Sequence, residues 1–189
     1  MATGSGARPL RADAVRNRRS VIDAARDAFA RHGVTASLDE VARAAGVGPG
    51  TLYRHFPSRD DLILALIDDG MADLHRLGVE LLDETDPLRA VNRWLDAYIE
   101  QCGTFEGLAQ ALARRPAHES SSCRLAFDAG SALIRRAAAA GALRADIDAD
   151  DVRHLAEAIA CVSGQPPTDP HRRTRLLGMM LDGIRPRNE

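Results

Sequence analysis

Residues 37–57, SLDEVARAAGVGPGTLYRHFP, constrain this chain more than any other stretch. Ser37 with Glu40 three places on is a capping box: the hydroxyl takes an orphan amide of a new helix and the carboxylate reaches back. That helix runs to Ala45, and Gly46 supplies the positive φ a sharp turn needs. Pro49 suits the first turn of a second short helix, about 49–56, and Pro57 stops it. Val41, Ala42, Ala45, Val47 and Leu52 are spaced so that both helices press on one small core, with Ala42 small enough for close approach. Two short helices about a tight glycine turn are the geometry that lays a second helix in the major groove of DNA.

The flanking chain is punctuated in the same way. Val15, Val21, Ile22, Ala25, Ala28 and Phe29 share one face of a helix from about Asp13 to His32, with Gly33 as its stop. Ser58 with Asp61 caps a long helix over 58–83, striped by Ile63, Ile67, Met71, Leu74, Leu77 and Leu81. Further helices are expected over 87–102, over 105–115 to Pro116, and from Ser120 or Ser121 to Ala140, ended by Gly141. Two more are expected over 149–163, capped by Asp148, and over 170–184. No alternating run longer than four residues appears, Ala and Leu dominate, and aromatics are only 4%, which favours helix over strand. The expectation is an all-α fold of about nine helices. It has a disordered arm over 1–12, a helix-turn-helix domain over 13–57 and a larger helical body over 58–189.

Charge divides along the same line. All 25 basic residues are Arg. Residues 1–59 carry 10 of them against 5 acids, and residues 60–189 carry 15 against 22, which points to a polyanion partner for the first third alone. Three cysteines without a C-x-x-C pair argue against a disulfide scaffold or zinc ribbon. The Gly/Ser-rich start has no apolar core of a secretory signal, and the longest strongly apolar run, Leu62 to Ile67, is far too short to span a membrane. The expectation is a reduced, soluble, cytoplasmic protein with neither metal nor cofactor. No metalloprotease, nucleophile-elbow, Walker or dinucleotide motif is present, so the chain does not read as an enzyme.

The motifs F-A-x-H-G, L-D-E-V-A-x-x-A-G-V, G-T-L-Y-x-H-F and P-S-R-D-D-L stand in that order over residues 16–66. There the chain resembles the TetR family of bacterial transcriptional regulators. The resemblance implies double-stranded DNA, a palindromic operator, as partner. Gly48, Pro49 and Gly50 put almost no side chain at the start of the recognition helix, so its amides approach phosphate closely. Many family members carry a polar or basic side chain at the positions of Gly48 and Pro49; here readout moves to Thr51, Arg54, Arg43 and DNA shape. Thr51 suits a phosphate or a thymine methyl, Arg54 a guanine or a phosphate, and Arg43 a base edge or the backbone. Tyr53, His55 and Arg59 look like the family's phosphate contacts. Arg8 and Arg11 form a loose basic arm suited to the minor groove.

For the body, the resemblance implies a homodimer through the last two helices, with Leu155, Ile159, Val162, Leu176, Leu177, Met180, Leu181 and Ile184 as its apolar supply. The same residues would serve a purely internal core. It also implies a cavity for a small-molecule effector, for which Met71, Leu74, His75, Trp94, Tyr98, Cys102, Phe105, His118 and Phe127 are candidates. Trp94 and Tyr98 sit one helical turn apart, and their N–H and O–H need partners when buried; an aromatic pair at that spacing equally serves as core. The expected function is a ligand-responsive regulator, most simply a repressor, released from its operator by the effector. The alternative is a helical ligand- or protein-binding module without specific DNA binding.

Overall fold

The structure, a computed structural model, describes residues 7–112, 120–165 and 169–186, with the side chains of all but residues 7–12, 34 and 104–112. Eight α-helices and a single 3₁₀ turn, Gly33–Thr35, occur among the described residues, with no strand. The helices are α1 (Ala7–His32), α2 (Leu38–Ala44), α3 (Pro49–His55) and α4 (Arg59–Leu81), then α5 (Pro87–Leu112), α6 (Ser121–Ala139), α7 (Ala149–Ser163) and α8 (Arg172–Ile184).

Two expectations change. The helices expected over 87–102 and 105–115 are one, α5. Gly103 is helical, and a glycine inside a helix weakens it without necessarily ending it. The arm expected to be disordered over 1–12 is helical from Ala7 onward. The expected stop at Pro116 lies outside the described residues.

Glycine ends the helices where backbone geometry requires it. Gly33, Gly46 and Gly141 have φ of 57°, 69° and 70°. After α2, the Val47 amide donates to the Ala42 carbonyl and the Gly46 amide to the Arg43 carbonyl. After α6, the Ala142 and Gly141 amides repeat this to Ala137 and Ala138. Both are Schellman ends, which satisfy carbonyls the helix leaves orphaned. At the amino ends, Ser37, Ser120 and Asp148 side chains accept from Glu40, Cys123 and Asp150 amides. Ser58 and Asp61 cap reciprocally: the Ser58 hydroxyl accepts from the Asp61 amide, and the Asp61 carboxylate accepts from the Ser58 amide at 3.0 Å.

The chain forms two compact units, residues 1–67 and 68–189, dividing within α4. The sequence places the division nearer Pro57. In the first unit α1 packs on α2 and α3, and α2 on α3, around Val21, Ala25, Val41, Leu52 and Phe56. In the second, α5 is central and packs against α6, α7 and α8. Val91, Leu95 and Ile99 of α5 are buried, as are Leu133 of α6 and Ala156 of α7. No helix among the described residues is long and apolar enough to cross a membrane.

Candidate DNA interface and effector-binding body

Leu52 and Phe56 fix α3 from behind: both are buried in the first unit. Helical periodicity then turns the residues between them outward. Tyr53 is 45% exposed, Arg54 is exposed, and Thr51 and His55 are half-buried. Gly48, Pro49 and Gly50 are exposed at the start of α3. A Cβ built on Gly48 or Gly50 meets nothing within 4 Å, so neither glycine is demanded by internal packing. Arg43 is exposed on the last turn of α2.

Arg59 is placed differently from its neighbours. Its guanidinium donates to the Ala36 carbonyl at 2.7 Å and lies 5.9 Å from the Phe29 ring centre. It ties the start of α4 to the segment before α2. Arg18, which sequence reasoning left out, stacks on Phe56 at 4.8 Å; a long-range contact between two residues 38 positions apart gives no local signal.

In the second unit the effector candidates divide. Met71, Leu74, Trp94 and Tyr98 are buried, and His75, Cys102 and Phe127 are half-buried. His118 and the Phe105 side chain lie outside the described residues. Trp94 and Tyr98 stack at 5.2 Å with an interplanar angle of 13°, and Phe127 meets Tyr98 edge-on at 6.0 Å. The Tyr98 hydroxyl donates to the Glu157 carboxylate at 2.7 Å, which also accepts from Arg153 at 2.6 Å. Arg153 covers the other aromatic, its guanidinium 5.1 Å from the Phe127 ring centre. Burial pushes the Tyr98 phenol far above its ordinary value and the Cys102 thiol up to about 11, so both are neutral near pH 7. The His75 ring meets the Leu125 carbonyl at 3.1 Å through Nδ1. Trp94 Nε1 and Gln101 Nε2 are buried donors with no hydrogen-bond partner. Glu157 and Arg153 were not singled out by sequence because the aromatic rings they meet, Tyr98 and Phe127, lie on other helices, and Gln101 was not because only its burial marks it.

A surface cleft of about 290 Å³ is lined by Leu77, Glu80, Leu81, Asp83, Glu84, Thr85 and Arg93. It holds none of the effector candidates. Glu84, held below the usual carboxylate range by its hydrogen bond from Arg89, pairs there with Arg89 and Arg93. Arg136 donates to the Leu81 and Glu84 carbonyls beside it.

The dimer candidates also divide. Leu155 is 51% and Val162 40% exposed, and Leu176 and Met180 are half-buried. Ile159, Leu177, Leu181 and Ile184 are buried within the single chain. Met179, absent from the sequence-based set, is the most exposed apolar side chain of α8 at 66%.

Two family models match. Residues 21–66 match the bacterial regulatory proteins of the tetR family. Residues 86–186, more than half of the chain, match the C-terminal domain of SbtR-like transcriptional regulators. The chain belongs to the TetR family. A TetR regulator from Streptomyces coelicolor, SCO0520, is 36% identical, with 90% of this chain and 99% of that one covered and a TM-score of 0.75. A TetR regulator from Mycobacterium vanbaalenii is 31% identical over 94% of this chain and 100% of that one, with a TM-score of 0.69. The transcriptional repressor LfrR of Mycolicibacterium smegmatis is 43% identical over 70 residues, 37% of this chain and 36% of that repressor. The match thus spans about a third of that curated relative's length. TetR proteins are transcriptional regulators, not enzymes; those of known mode bind DNA operators as dimers and respond to small molecules.

Proposed function

We propose that this TetR protein is a ligand-responsive transcriptional repressor that binds a palindromic operator as a homodimer and leaves it when a small-molecule effector occupies the second unit. One observation carries the reading: α3 is locked into the first unit by Leu52 and Phe56 while Tyr53 and Arg54 stand exposed on its opposite side. Such a helix has a buried anchor and a polar outer face, as a major-groove reader requires. Exposed Leu155, Val162 and Met179 supply apolar surface for a partner copy, and two copies place two recognition helices about 34–36 Å apart on DNA. Buried, unpartnered Trp94 and Gln101 donors support a role for the α5 interior in taking up an effector. The helix α4 carries residues of both units, so an effector preferring one position of α4 shifts DNA affinity. A coupling of about 1–3 kcal/mol changes that affinity about 5–150-fold.

Selection from a random duplex library with the purified protein tests this. Recovery of a palindrome with half-sites one helical turn apart is expected. Recovery of nothing above the input library overturns operator binding and favours a helical binding module. The recovered palindrome, matched upstream of genes, also names what is regulated.

A further inference from the structure

Two contacts between α5 and α6 fix an antiparallel register. The Trp94 ring lies on Gly130, and Tyr98, one turn further along α5, meets Phe127 edge-on at 6.0 Å. Each turn forward along α5 is thus matched by a turn back along α6. One turn beyond Tyr98, that register sets Cys102 of α5 opposite Cys123 of α6. Both are free thiols and half-buried, and the Cys123 sulfur lies near enough to contribute to the upward shift of the Cys102 thiol. Axes of packed helices lie about 8–10 Å apart, with α-carbons about 2.3 Å off the axis. Facing positions therefore come within the roughly 4.4–6.8 Å between α-carbons that a disulfide spans. The Ser120 hydroxyl accepts from the Cys123 amide at 3.1 Å, which holds Cys123 in the first turn of α6. Cys161 stands apart. On α7, Glu157 meets Tyr98 and Arg153 acts on Cys102, so Cys161 is level with Trp94, about 12 Å along α5 from Cys102.

We propose that Cys102 and Cys123 form an oxidation site, a dithiol that closes to a disulfide across α5 and α6 when a hydroperoxide reaches it. It lies wholly in the second unit and does not depend on how the first unit meets DNA. Burial keeps the Cys102 thiol protonated near pH 7, so Cys123 reacts with the oxidant first. Its sulfur gives up its proton and attacks one peroxide oxygen, and the O–O bond breaks. The other oxygen takes the proton and leaves as the alcohol, or as water from hydrogen peroxide itself, and Cys123 becomes a sulfenic acid. The Cys102 sulfur then attacks the Cys123 sulfur. The S–O bond breaks, and the hydroxyl takes the Cys102 proton and departs as water. Two electrons pass from the pair of sulfurs to the peroxide, and exchange with a reduced thiol restores the dithiol. The bond staples α5 to α6 one turn beyond the contact of Tyr98 with Phe127, so oxidation limits how far these helices part around the aromatic cluster.

The test exposes the reduced full chain to hydrogen peroxide near neutral pH and maps its peptides without reduction. A linkage between the peptides of Cys102 and Cys123 is expected, in a product that migrates as a single chain. C161S is expected to form it at the wild-type rate, and C102S and C123S to lose it. In C102S, Cys123 is expected to stop at the sulfenic acid, which dimedone captures; in C123S, Cys102 is expected to remain a thiol. The urea midpoint of the peroxide-treated wild type is expected to fall when dithiothreitol opens the bond, since a disulfide that fits the native spacing restricts the unfolded chain. A product linked through Cys161 or between chains overturns the proposal, as does a wild-type Cys123 driven past the sulfenic acid while Cys102 remains a thiol. A urea midpoint that rises on adding dithiothreitol overturns it too, because the bond would then be straining the helices apart. So does a folded chain that peroxide leaves reduced while the same treatment links the two cysteines after urea unfolding.

Discussion

The six-membered ring of Trp94 lies on the bare α-carbon of Gly130, where an added Cβ would stand only 2.5 Å from Cζ2 and 2.7 Å from Cζ3. On the pyrrole side a Cβ at Gly78 would stand 3.1 Å from Nε1 and 2.7 Å from the Ala129 Cβ. Glycines on α4 and α6 thus open the slot that the α5 indole fills. Gly130→Ala is expected to destabilise the protein by about 1–3 kcal/mol through overpacking, although alanine is the better helix former by about 1 kcal/mol. Gly103→Ala, which meets nothing within 4 Å, is expected to shift stability the other way. Urea unfolding of the two variants checks the opposite signs.

Tyr98 and Glu157 join α5 to α7 by a single hydrogen bond from the phenol. Tyr98→Phe is expected to cost about 0.5–1.5 kcal/mol. In a double-mutant cycle with Glu157→Gln the two losses fall short of adding, because each removes the same bond. Additive losses in urea unfolding would assign the cost to packing instead.

Cys102 gives the protein an alkaline limit. Its buried thiol is raised to about 11, above the ordinary value of about 8.5. The folded chain keeps a proton that the unfolded chain has already released. This contribution is therefore unfavourable only above the ordinary thiol value, and stability falls from there towards pH 11. Cys102→Ala is expected to flatten that fall in unfolding curves taken across the interval. Alkylation of Cys102 at pH 8 is expected to be slower in the folded than in the unfolded protein.

Leu155 and Met179 are exposed in the single chain, so replacing them does not disturb its core. Leu155→Asp and Met179→Asp are each expected to leave helical circular dichroism intact and to shift sedimentation equilibrium towards monomer. Ile159→Asp, at a buried position, is expected to unfold the second unit instead. A dimer that survives both exposed substitutions would place the interface elsewhere.

Arg54→Gln separates two roles of the recognition helix. Loss of a guanine contact relaxes preference at one base by about 1–3 kcal/mol. Loss of a phosphate contact weakens all sequences alike and lowers the salt slope by about 0.9. Repeating the library selection with the variant, alongside a salt titration, distinguishes them. An unchanged selection and slope would remove Arg54 from the interface.

Much of the first unit was legible because its signals are local. The Ser37 and Ser58 caps, and the glycine stops at 33 and 46, lie within a few residues of what they control. The candidate recognition residues could be named for the same reason: α3 is short, and burying Leu52 and Phe56 leaves little choice for Tyr53 and Arg54. The break expected near residue 103 was misread because Gly103 offers the backbone freedom of a stop without the capping bonds that make one. The body was harder, since its apolar residues outnumber one buried face and spacing alone does not say which neighbour each one meets.

The sequence by itself therefore determined helix, turn and charge: an all-α chain with a basic helix-turn-helix joined to an acidic body. Those properties follow from backbone preferences and periodicity over one or two turns. The tertiary structure alone decided which side chains are spent inside. It buried Ile159, Leu177, Leu181 and Ile184 and left Leu155, Val162 and Met179 outside. It tied Arg59 to Ala36 and set Arg18 on Phe56, and it wedged Trp94 between Gly78 and Gly130. Each of these depends on how helices distant in sequence lie against one another, and close packing, not local preference, selects that arrangement.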